Sequence, residues 1–256
     1  MPILLLIFLL LVEGVLARES VPDFEPVAEG VEYRQVLLEK PRPITVMQLR
    51  CEPAKVRFQI IKASDGGNSP TATAREMVIR HHLLAAVNSS YFGTSNEILG
   101  YAERHGEVLN GGVASGGLFS AFFFWDGVKA GLRRRGESLD DLSRKIPVLF
   151  QCGPRLVWDS RPVEGLHSGH KAARSCLALD KEGRVVLVAL GGLSRVSLSE
   201  LPSILSAPVE RGGVGALRAI NLDGGKSTQL FLLKKGKPAY LPGRVRVPIF
   251  LGLSEK

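Results

Sequence analysis

The sequence contains no long hydrophobic run after residue 12, few cysteines and few aromatic residues. Beyond that residue no apolar stretch approaches the ~20 residues of a transmembrane helix, so the rest of the chain is not expected to span a membrane. The three cysteines, Cys51, Cys152 and Cys176, match neither zinc-ribbon nor CxxC spacing. They allow one disulfide with one free thiol, or three buried thiols. Aromatic residues make up only 7%, but the eleven Phe residues can nucleate one sizeable core.

The composition is that of an ordinary globular protein. Apolar residues make up 45% and charged residues 23%, which excludes a disordered or fibrous protein. The 28 glycines and 15 prolines require many turns and argue against a bundle of long helices. The 256 residues show no internal repeat and no interior linker, so a single folded domain over 31–256 is predicted.

The first 30 residues differ from the rest. An apolar run over 3–12 is followed by Val15, Leu16 and Ala17, which is the pattern of a secretory signal peptide spanning 1–17. No Lys or Arg precedes the run, which leaves an uncleaved N-terminal anchor as the alternative. Residues 18–30 form a polar lead segment interrupted by prolines. The protein is therefore expected to be exported, either secreted or to the periplasm or cell envelope, with no stable membrane span after cleavage.

Positive charge is in excess, with a formal net charge of +8. This excess favours anionic partners such as phosphate-bearing glycans or anionic envelope polymers, and the plainer alternative is a solvated basic surface. Nucleic acid is not expected as a partner. The basic residues are scattered apart from Arg133, Arg134 and Arg135, and no groove-reading motif accompanies them.

Hydrophobic patterning and turn signals predict an α+β fold: one domain with a mixed, mostly antiparallel sheet and a few helices. Helices are predicted over 72–82 and from a capping box at Ser197 and Glu200 to about residue 207. A hairpin is predicted around Gly183. Strands are predicted at 31–39, 44–50, 55–62, 83–87, 119–125, 146–150, 156–158, 175–179, 184–190, 216–222, 238–241 and 245–250.

Two familiar ligand motifs fail on spacing. Gly225, Lys226 and Ser227 resemble the end of a phosphate-binding P-loop, but the first glycine of that motif would fall at Ile220. His167 and His170 lie in a segment rich in glycine and serine, and no further zinc ligand is placed by spacing. No metal and no cofactor are therefore expected.

Polar side chains stand where apolar strands meet loops, a common position for ligand-binding groups. Asn88 follows the strand predicted at 83–87, and Asp223 follows the strand predicted at 216–222. Arg174 and Ser175 introduce the strand predicted at 175–179.

Four segments resemble, in the same order, the phosphodiester glycosidases, a family with many exported bacterial members. They are Ala85 to Gly93, Cys152 to Ser160, Ala173 to Leu190 and Ala219 to Leu232. The similarity covers roughly residues 32–253, and its most specific block is the run Asn-Leu-Asp-Gly-Gly from Asn221. This chain departs from the family pattern at three places. It has Ser-Ser-Tyr-Phe after Asn88 where Gly-x-Phe-Phe is common, Ser175 where Thr is common, and Lys226 where Gly is common.

The resemblance implies hydrolysis of a sugar-1-phosphodiester, so the expected substrate is a carbohydrate or glycosyl phosphate. The leaving phosphate needs little general-acid help, and the site then requires a carboxylate near C1 and a cation on the phosphate. Asp223 and Arg174 are the implied catalytic residues. The implied substrate-binding residues are Asn88, Ser175, Asn221, Gly224, Gly225 and Ser227. The two glycines allow the backbone to approach the ligand closely.

Each assignment has a structural alternative. Asp223 can belong to a plain turn, Arg174 to a surface ion pair and Asn88 to a turn cap, and Asp180 is expected to be structural in its hairpin. Glu97 and Asp126 are the conceivable second carboxylates. At the level of function, the alternatives are a non-catalytic glycan-binding or envelope-associated domain and a glycosidase acting on neutral substrates. The sequence leaves open the sugar, the anomer, the stereochemical course and the oligomeric state.

Overall fold

A computed structural model describes residues 21–39, 42–142 and 146–256. The predicted signal peptide, residues 1–17, lies outside the described residues. Within the described ranges, no helix has the length and apolar character needed to cross a membrane.

The described residues form eighteen β-strands and two α-helices, with three short 3-10 helices. The strands are β1 Glu25–Ala28, β2 Val31–Leu38, β3 Ile44–Cys51, β4 Val56–Lys62, β5 Ala85–Asn88, β6 Ala102–Arg104, β7 Glu107–Asn110, β8 Ala121–Trp125, β9 Ala130–Arg134, β10 Val148–Cys152, β11 Arg155–Trp158, β12 Arg161–Pro162, β13 Arg174–Asp180, β14 Val185–Leu190, β15 Ala216–Asn221, β16 Leu230–Leu232, β17 Ala239–Leu241 and β18 Ile249–Glu255. The helices are α1 Ala74–Arg80 and α2 Leu201–Ser206, and the 3-10 turns are Gly117–Phe119, Val209–Arg211 and Gly225–Ser227.

The strands of the described residues form three sheets. The largest has eight strands in the order β1-β2-β3-β14-β13-β15-β11-β12. Two five-stranded sheets have the orders β7-β6-β10-β8-β9 and β17-β16-β5-β18-β4. Every strand pair in these sheets is antiparallel. The predicted predominance of antiparallel pairing is confirmed, whereas the expected mixed character is not seen in the described sheets.

One hydrophobic core is shared by the inner faces of all three sheets. Phe58 of β4, Phe123 of β8 and Phe150 of β10 are fully buried in it, together with Leu177 of β13. The rings of Phe58 and Phe123 meet edge to face with centroids 6.2 Å apart. Burial of one such side chain contributes about 1.5–3 kcal/mol, so this shared core holds the sheets together.

Each α-helix covers the outer face of one sheet. Helix α1 begins with a reciprocal cap, in which Thr73 Oγ1 accepts the Glu76 N–H and Glu76 Oε2 accepts the Thr73 N–H. It buries Met77 and Val78 against the sheet that contains β5 and β18. Helix α2 buries Leu201 and Leu205 against the eight-stranded sheet. Both helices span fewer than three turns, so the fold is dominated by sheet rather than being a balanced α+β structure.

The second helix starts later than the capping-box pattern predicts. Glu200 accepts the Ser197 N–H at 2.7 Å, but the helix begins only at Leu201. Pro202 explains the difference. In a helix capped by Ser197, Pro202 would lie in the helix interior, where its ring clashes with a backbone carbonyl and its missing N–H leaves one helical hydrogen bond unmade. Glu200 also forms an ion pair with Arg42, in which Oε1 and Nη1 lie 2.7 Å apart.

Two other local predictions are corrected. Strand β1 lies inside the lead segment 18–30, where no strand was expected. The C-terminal strand begins at Ile249 rather than at Val245, because Val245 and Val247 make backbone bonds to Lys226 and Ala72 outside the sheet.

Candidate active site

The candidate site lies where the chain passes from one sheet to another. Strand β15 ends in the eight-stranded sheet and β16 begins in a five-stranded sheet, so residues 222–229 connect the two. The Leu222 N–H donates to Ser175 O at 2.8 Å, and the Asp223 N–H donates to Ser89 O at 3.0 Å. The connection is therefore bonded to both sheets at once. Because β13 and β15 are antiparallel, the start of β13 lies beside the end of β15.

Asp223 presents a partly buried carboxylate at this junction. Its Oδ1 accepts the Gly224 N–H at 2.8 Å. Burial raises the pKa of the carboxyl group, while the Ser227 side chain and the Gly224 N–H act in the opposite direction. When ionised, such a poorly solvated carboxylate interacts strongly with a positive charge that develops beside it.

Asn88, at the end of β5, holds the backbone of this turn. Its Nδ2 donates to Asp223 O at 2.7 Å, and its Oδ1 accepts the Ser175 hydroxyl at 2.6 Å and the Gln229 N–H at 3.1 Å. Asn88 and Ser175 are both buried. In this arrangement both side chains fix the position of Asp223, so the structure gives Asn88 the anchoring contacts that a turn cap would make.

Arg174 lies beside the same turn. Its Nε donates to Val196 O at 3.0 Å and its Nη2 donates to His170 O at 2.9 Å. These bonds fix the guanidinium plane, and a Cβ placed on Gly224 would lie 3.8 Å from Nη1. Burial lowers the pKa of Arg174. The side chain is therefore an oriented, largely desolvated cation rather than a member of a surface ion pair.

The two glycines shape the turn differently. Gly225 has φ +65°, in the left-handed region that favours glycine, and its side-chain position faces open space. A Cβ on Gly224 would lie 3.2 Å from Ala173 O, so that position is close to a neighbouring strand. The Gly225 N–H donates to Ala173 O at 2.8 Å. Together these contacts keep one side of the turn open while the other side packs on Ala173, just before β13.

Asn221 and Tyr91 connect the site to the third sheet. Asn221 Nδ2 donates to the Tyr91 hydroxyl at 2.9 Å, and that hydroxyl donates to Gly153 O at 2.7 Å. Gly153 precedes Pro154 through a cis peptide bond just after β10. Burial raises the pKa of Tyr91, so its hydroxyl is a neutral hydrogen-bonding group. Tyr91 was not assigned from sequence, although it belongs to the polar run that follows Asn88.

Several buried polar atoms around the turn have no partner among the described residues. They are Asn221 Oδ1 and the hydroxyls of Ser89, Ser90 and Thr228. Buried polar atoms are almost always hydrogen bonded, so a cluster of exceptions points to groups that a ligand or water satisfies. Ser89 and Ser90 follow the buried strand β5, a signal that sequence could have supplied.

A cavity of about 440 Å³ adjoins the turn on the side of Gly225. Its walls come from four segments that are distant in sequence. They include Lys226, Thr228, Arg195 and Arg244. Sequence reasoning considered Lys226 alone, because Arg195 and Arg244 carry no local motif and reach the cavity only through the fold.

The other carboxylates considered from sequence lie in exposed turns. Glu97 Oε2 accepts the Ser95 N–H at 3.0 Å, and Asp126 Oδ1 accepts the Val128 N–H at 2.8 Å in a hairpin turn. Asp180 is structural as expected, since it accepts the Arg184 Nε–H at 2.6 Å within its hairpin.

The three cysteines are buried free thiols, and burial raises the pKa of Cys176 to about 12, which makes it a poor nucleophile.

Solved structures share this fold at low sequence identity. A zebrafish N-acetylglucosamine-1-phosphodiester α-N-acetylglucosaminidase catalytic domain, auto-inhibited by its pro-peptide, aligns with a TM-score of 0.60 and 17% identity, covering 93% of this chain and 86% of that one. A hypothetical protein from Synechocystis aligns with a TM-score of 0.59 and 18% identity over 91% of this chain, which spans 64% of that protein. A Burkholderia pseudomallei protein described as exported aligns with a TM-score of 0.58 and 13% identity, covering 83% and 74%.

No curated protein sequence matches this chain significantly. The sequence model of the phosphodiester glycosidases, however, matches residues 81–252, a range that contains every site residue described above. The chain belongs to the phosphodiester glycosidase family.

Proposed function

We propose that this protein is an exported hydrolase that cleaves the glycosidic bond of sugar-1-phosphodiesters or related envelope glycans. The observation that carries the proposal is the partly buried Asp223 carboxylate, in a turn whose backbone Asn88 anchors at the junction of two sheets and whose Gly224 lies beside the Arg174 guanidinium. Family membership and the fold shared with the zebrafish glycosidase support the same reaction class.

The proposed reaction breaks the bond between C1 and the phosphate oxygen. The bonding electrons leave with the phosphate and positive charge develops on the sugar. Water supplies the oxygen that forms the new bond to C1, and the proton that this water loses passes to the leaving phosphate or to solvent. Asp223 stabilises or attacks the cation at C1. Arg174 places Nη1 near the phosphate, with the guanidinium already oriented by Val196 O and His170 O. This preorganisation favours the transition state, because no reorientation is needed as charge develops.

The substrate-binding roles divide into two groups. Asn221 Oδ1 is proposed to face the sugar, Ser227 is proposed to contact it beside the Asp223 carboxylate to which its side chain is bonded, and Gly224 and Gly225 allow the sugar to approach the backbone. Asn88 and Ser175 act indirectly, because their polar atoms are already bonded within the protein.

A non-catalytic glycan-binding domain of the same fold is the second candidate. One observation favours it: the carboxylates of Glu97 and Asp126 each accept a backbone N–H within their own exposed turn, and neither is bonded to a residue of the Asp223 turn. A glycan-binding domain would bind the same ligands without turning them over.

The test is a panel of sugar-1-phosphodiesters beside neutral aryl glycosides, with purified protein in ¹⁸O-labelled water. The proposal expects hydrolysis of the phosphodiesters with the label in the sugar. Label in the phosphate would show cleavage of a P–O bond and contradict the glycosidase assignment. Turnover of aryl glycosides alone would indicate a glycosidase that does not require phosphate, and binding without turnover would favour the glycan-binding domain.

A further inference from the structure

The cavity beside Gly225 has an unusual concentration of unpaired positive charge. We define the cationic cleft as the part of this cavity lined by Arg195, Lys226, Thr228 and Arg244. Among the residues that the structure describes, no Asp or Glu lines the cavity. The ion pairs found within the described residues also leave Arg195, Lys226 and Arg244 without a carboxylate partner.

Backbone hydrogen bonds fix the chain segments that carry these three cations. The N–H groups of Arg244 and Val245 both donate to Lys226 O, at 2.8 and 3.2 Å, so Lys226 and Arg244 project from adjacent points. Arg195 O accepts the Arg42 Nη2–H at 2.7 Å, which anchors the segment that carries Arg195. All three residues are exposed, so their charges are accessible from solvent, and an anion bound among them would be attracted by each.

A second, independent observation comes from Thr228. The residue lines the cavity and is only 3% exposed, and its hydroxyl oxygen has no hydrogen-bond partner among the described residues. A buried hydroxyl without a partner is costly, and an anionic oxygen in the cleft would satisfy it. The three cations and the unpartnered Thr228 hydroxyl therefore both favour an anionic ligand.

The position of the cleft relative to Asp223 indicates which part of a substrate enters it. Asp223 does not line the cavity, whereas Gly225, two residues later, does. Arg174 already lies beside Gly224, where a scissile phosphate would sit. A phosphodiester carries one negative charge, so three further cations exceed what that group requires.

We propose that the cationic cleft binds a second phosphate group on the leaving side of the substrate. This inference rests on the proposed glycosidase function and narrows its substrate class to glycosyl phosphodiesters whose leaving portion carries another phosphate. Internal linkages of a polymer of glycosyl phosphates have this property. Arg195, Lys226 and Arg244 then determine specificity and take no part in bond cleavage.

A binding experiment tests the cleft without relying on turnover. Inorganic pyrophosphate is titrated calorimetrically, at fixed ionic strength, into the wild type and into a Lys226→Gln, Arg244→Gln double variant. The matched control is Arg57→Gln with Lys181→Gln, which removes two exposed cations away from the cleft. We expect at least tenfold weaker binding in the cleft variant and unchanged binding in the control. Absence of wild-type binding, or equal loss in both variants, would overturn the proposal.

Thr228→Val adds a readout that a structural role would not give. The change removes an unpartnered hydroxyl and nearly preserves shape, so melting temperature should hold or rise while pyrophosphate binding weakens. Unchanged binding in the folded variant would contradict a role for this hydroxyl in the cleft.

Kinetic measurements then distinguish a failure of the second-phosphate site from a failure of the proposed glycosidase function. Two sugar-1-phosphodiesters are compared, one with a methyl leaving portion and one with a phosphoethyl leaving portion. The wild type should favour the second in kcat/KM at least tenfold, and the cleft variant should bring the ratio close to one. An unchanged ratio would refute the second-phosphate site. Turnover of neither substrate, with pyrophosphate binding still dependent on the cleft, would refute the glycosidase proposal and leave the phosphate site standing.

Discussion

Replacing Asp223 by Asn separates catalysis from binding at a single atom. The change preserves the shape of the side chain and allows the amide oxygen to keep the 2.8 Å bond from the Gly224 N–H. The backbone anchors of this residue, its N–H to Ser89 O and its carbonyl to Asn88 Nδ2, do not involve the side chain. The negative charge is lost, together with one of the two carboxylate oxygens that can accept the Gly224 N–H and the Ser227 side chain.

The expected catalytic loss follows from the role of that charge. If Asp223 stabilises or attacks a developing cation at C1, kcat should fall at least ~100-fold, which corresponds to about 2.7 kcal/mol of transition-state stabilisation. Ligand binding should survive, because contacts made equally in the ground state and the transition state remain. The assay is single-turnover hydrolysis of a sugar-1-phosphodiester.

In contrast to kcat, the free energy of unfolding should not fall in the Asn variant at pH 7. Burial raises the pKa of Asp223, so the folded state disfavours its ionised form. That destabilising contribution is complete above the folded-state pKa and disappears below the unfolded value of about 3.9. The Asn variant should therefore match or exceed the wild type in stability at pH 7, and any gain should vanish near pH 3. Urea unfolding at both pH values measures it.

The matched control is Asp180→Asn in the β13–β14 hairpin. Asp180 is buried and bonded to Arg184, so this variant should lose stability while retaining kcat. Undiminished turnover in folded Asp223→Asn would remove Asp223 from the catalytic residues. A marked loss of stability at pH 7 would show that its charge is structural.

Four further predictions concern other residues. Arg174→Ala should reduce phosphodiester turnover by about 2–4 kcal/mol of transition-state stabilisation, with only partial rescue by Lys, and wild-type kinetics would exclude a role on the phosphate. Asn88→Ala should destabilise the fold by about 2–4 kcal/mol in urea unfolding, because it leaves buried groups unpaired, and a neutral result would contradict its anchoring role. The pKa of Glu200 is lowered to about 2, mainly by its hydrogen bond from Arg42, so Glu200→Gln should reduce the free energy of unfolding at pH 7. This difference from the wild type should disappear as the pH falls towards 2, and a pH-independent difference would exclude the ion pair as its cause. Intact-mass analysis of protein exported by the native host should show an N-terminus at Arg18, and a mature species that keeps residues 1–17 would refute cleavage.

Much of the sheet could be predicted from sequence. Strands β2, β3 and β4 and the β13–β14 hairpin fall within a residue or two of the predicted bounds, because alternation of apolar side chains and a glycine turn are local signals. Six strands of two to five residues were missed, namely β1, β6, β7, β9, β12 and β16. Strand β16, for example, acquires its partners only when β5 lies alongside. The late start of α2 is also local in origin, since Pro202 decides it.

The candidate site was predictable in part for the same reason. Asn88, Ser175 and Asp223 were identified because each stands where an apolar strand meets a loop, and their resemblance to family segments pointed to one reaction. Sequence alone could not show that Asn88 and Ser175 use their polar atoms on the protein. Those hydrogen bonds require β5 and β13, which belong to different sheets, to meet at the same turn.

The sequence by itself therefore determined most of the longer strands, the family segments and the presence of a carboxylate beside two glycines, because each depends on residues close together in the chain. The tertiary structure alone decided the raised pKa of Asp223, the orientation of Arg174 and the grouping of Arg195, Lys226 and Arg244 around one cavity. Burial and electrostatic interaction depend on distances in space, and antiparallel pairing across separate sheets sets those distances between residues that no local pattern connects.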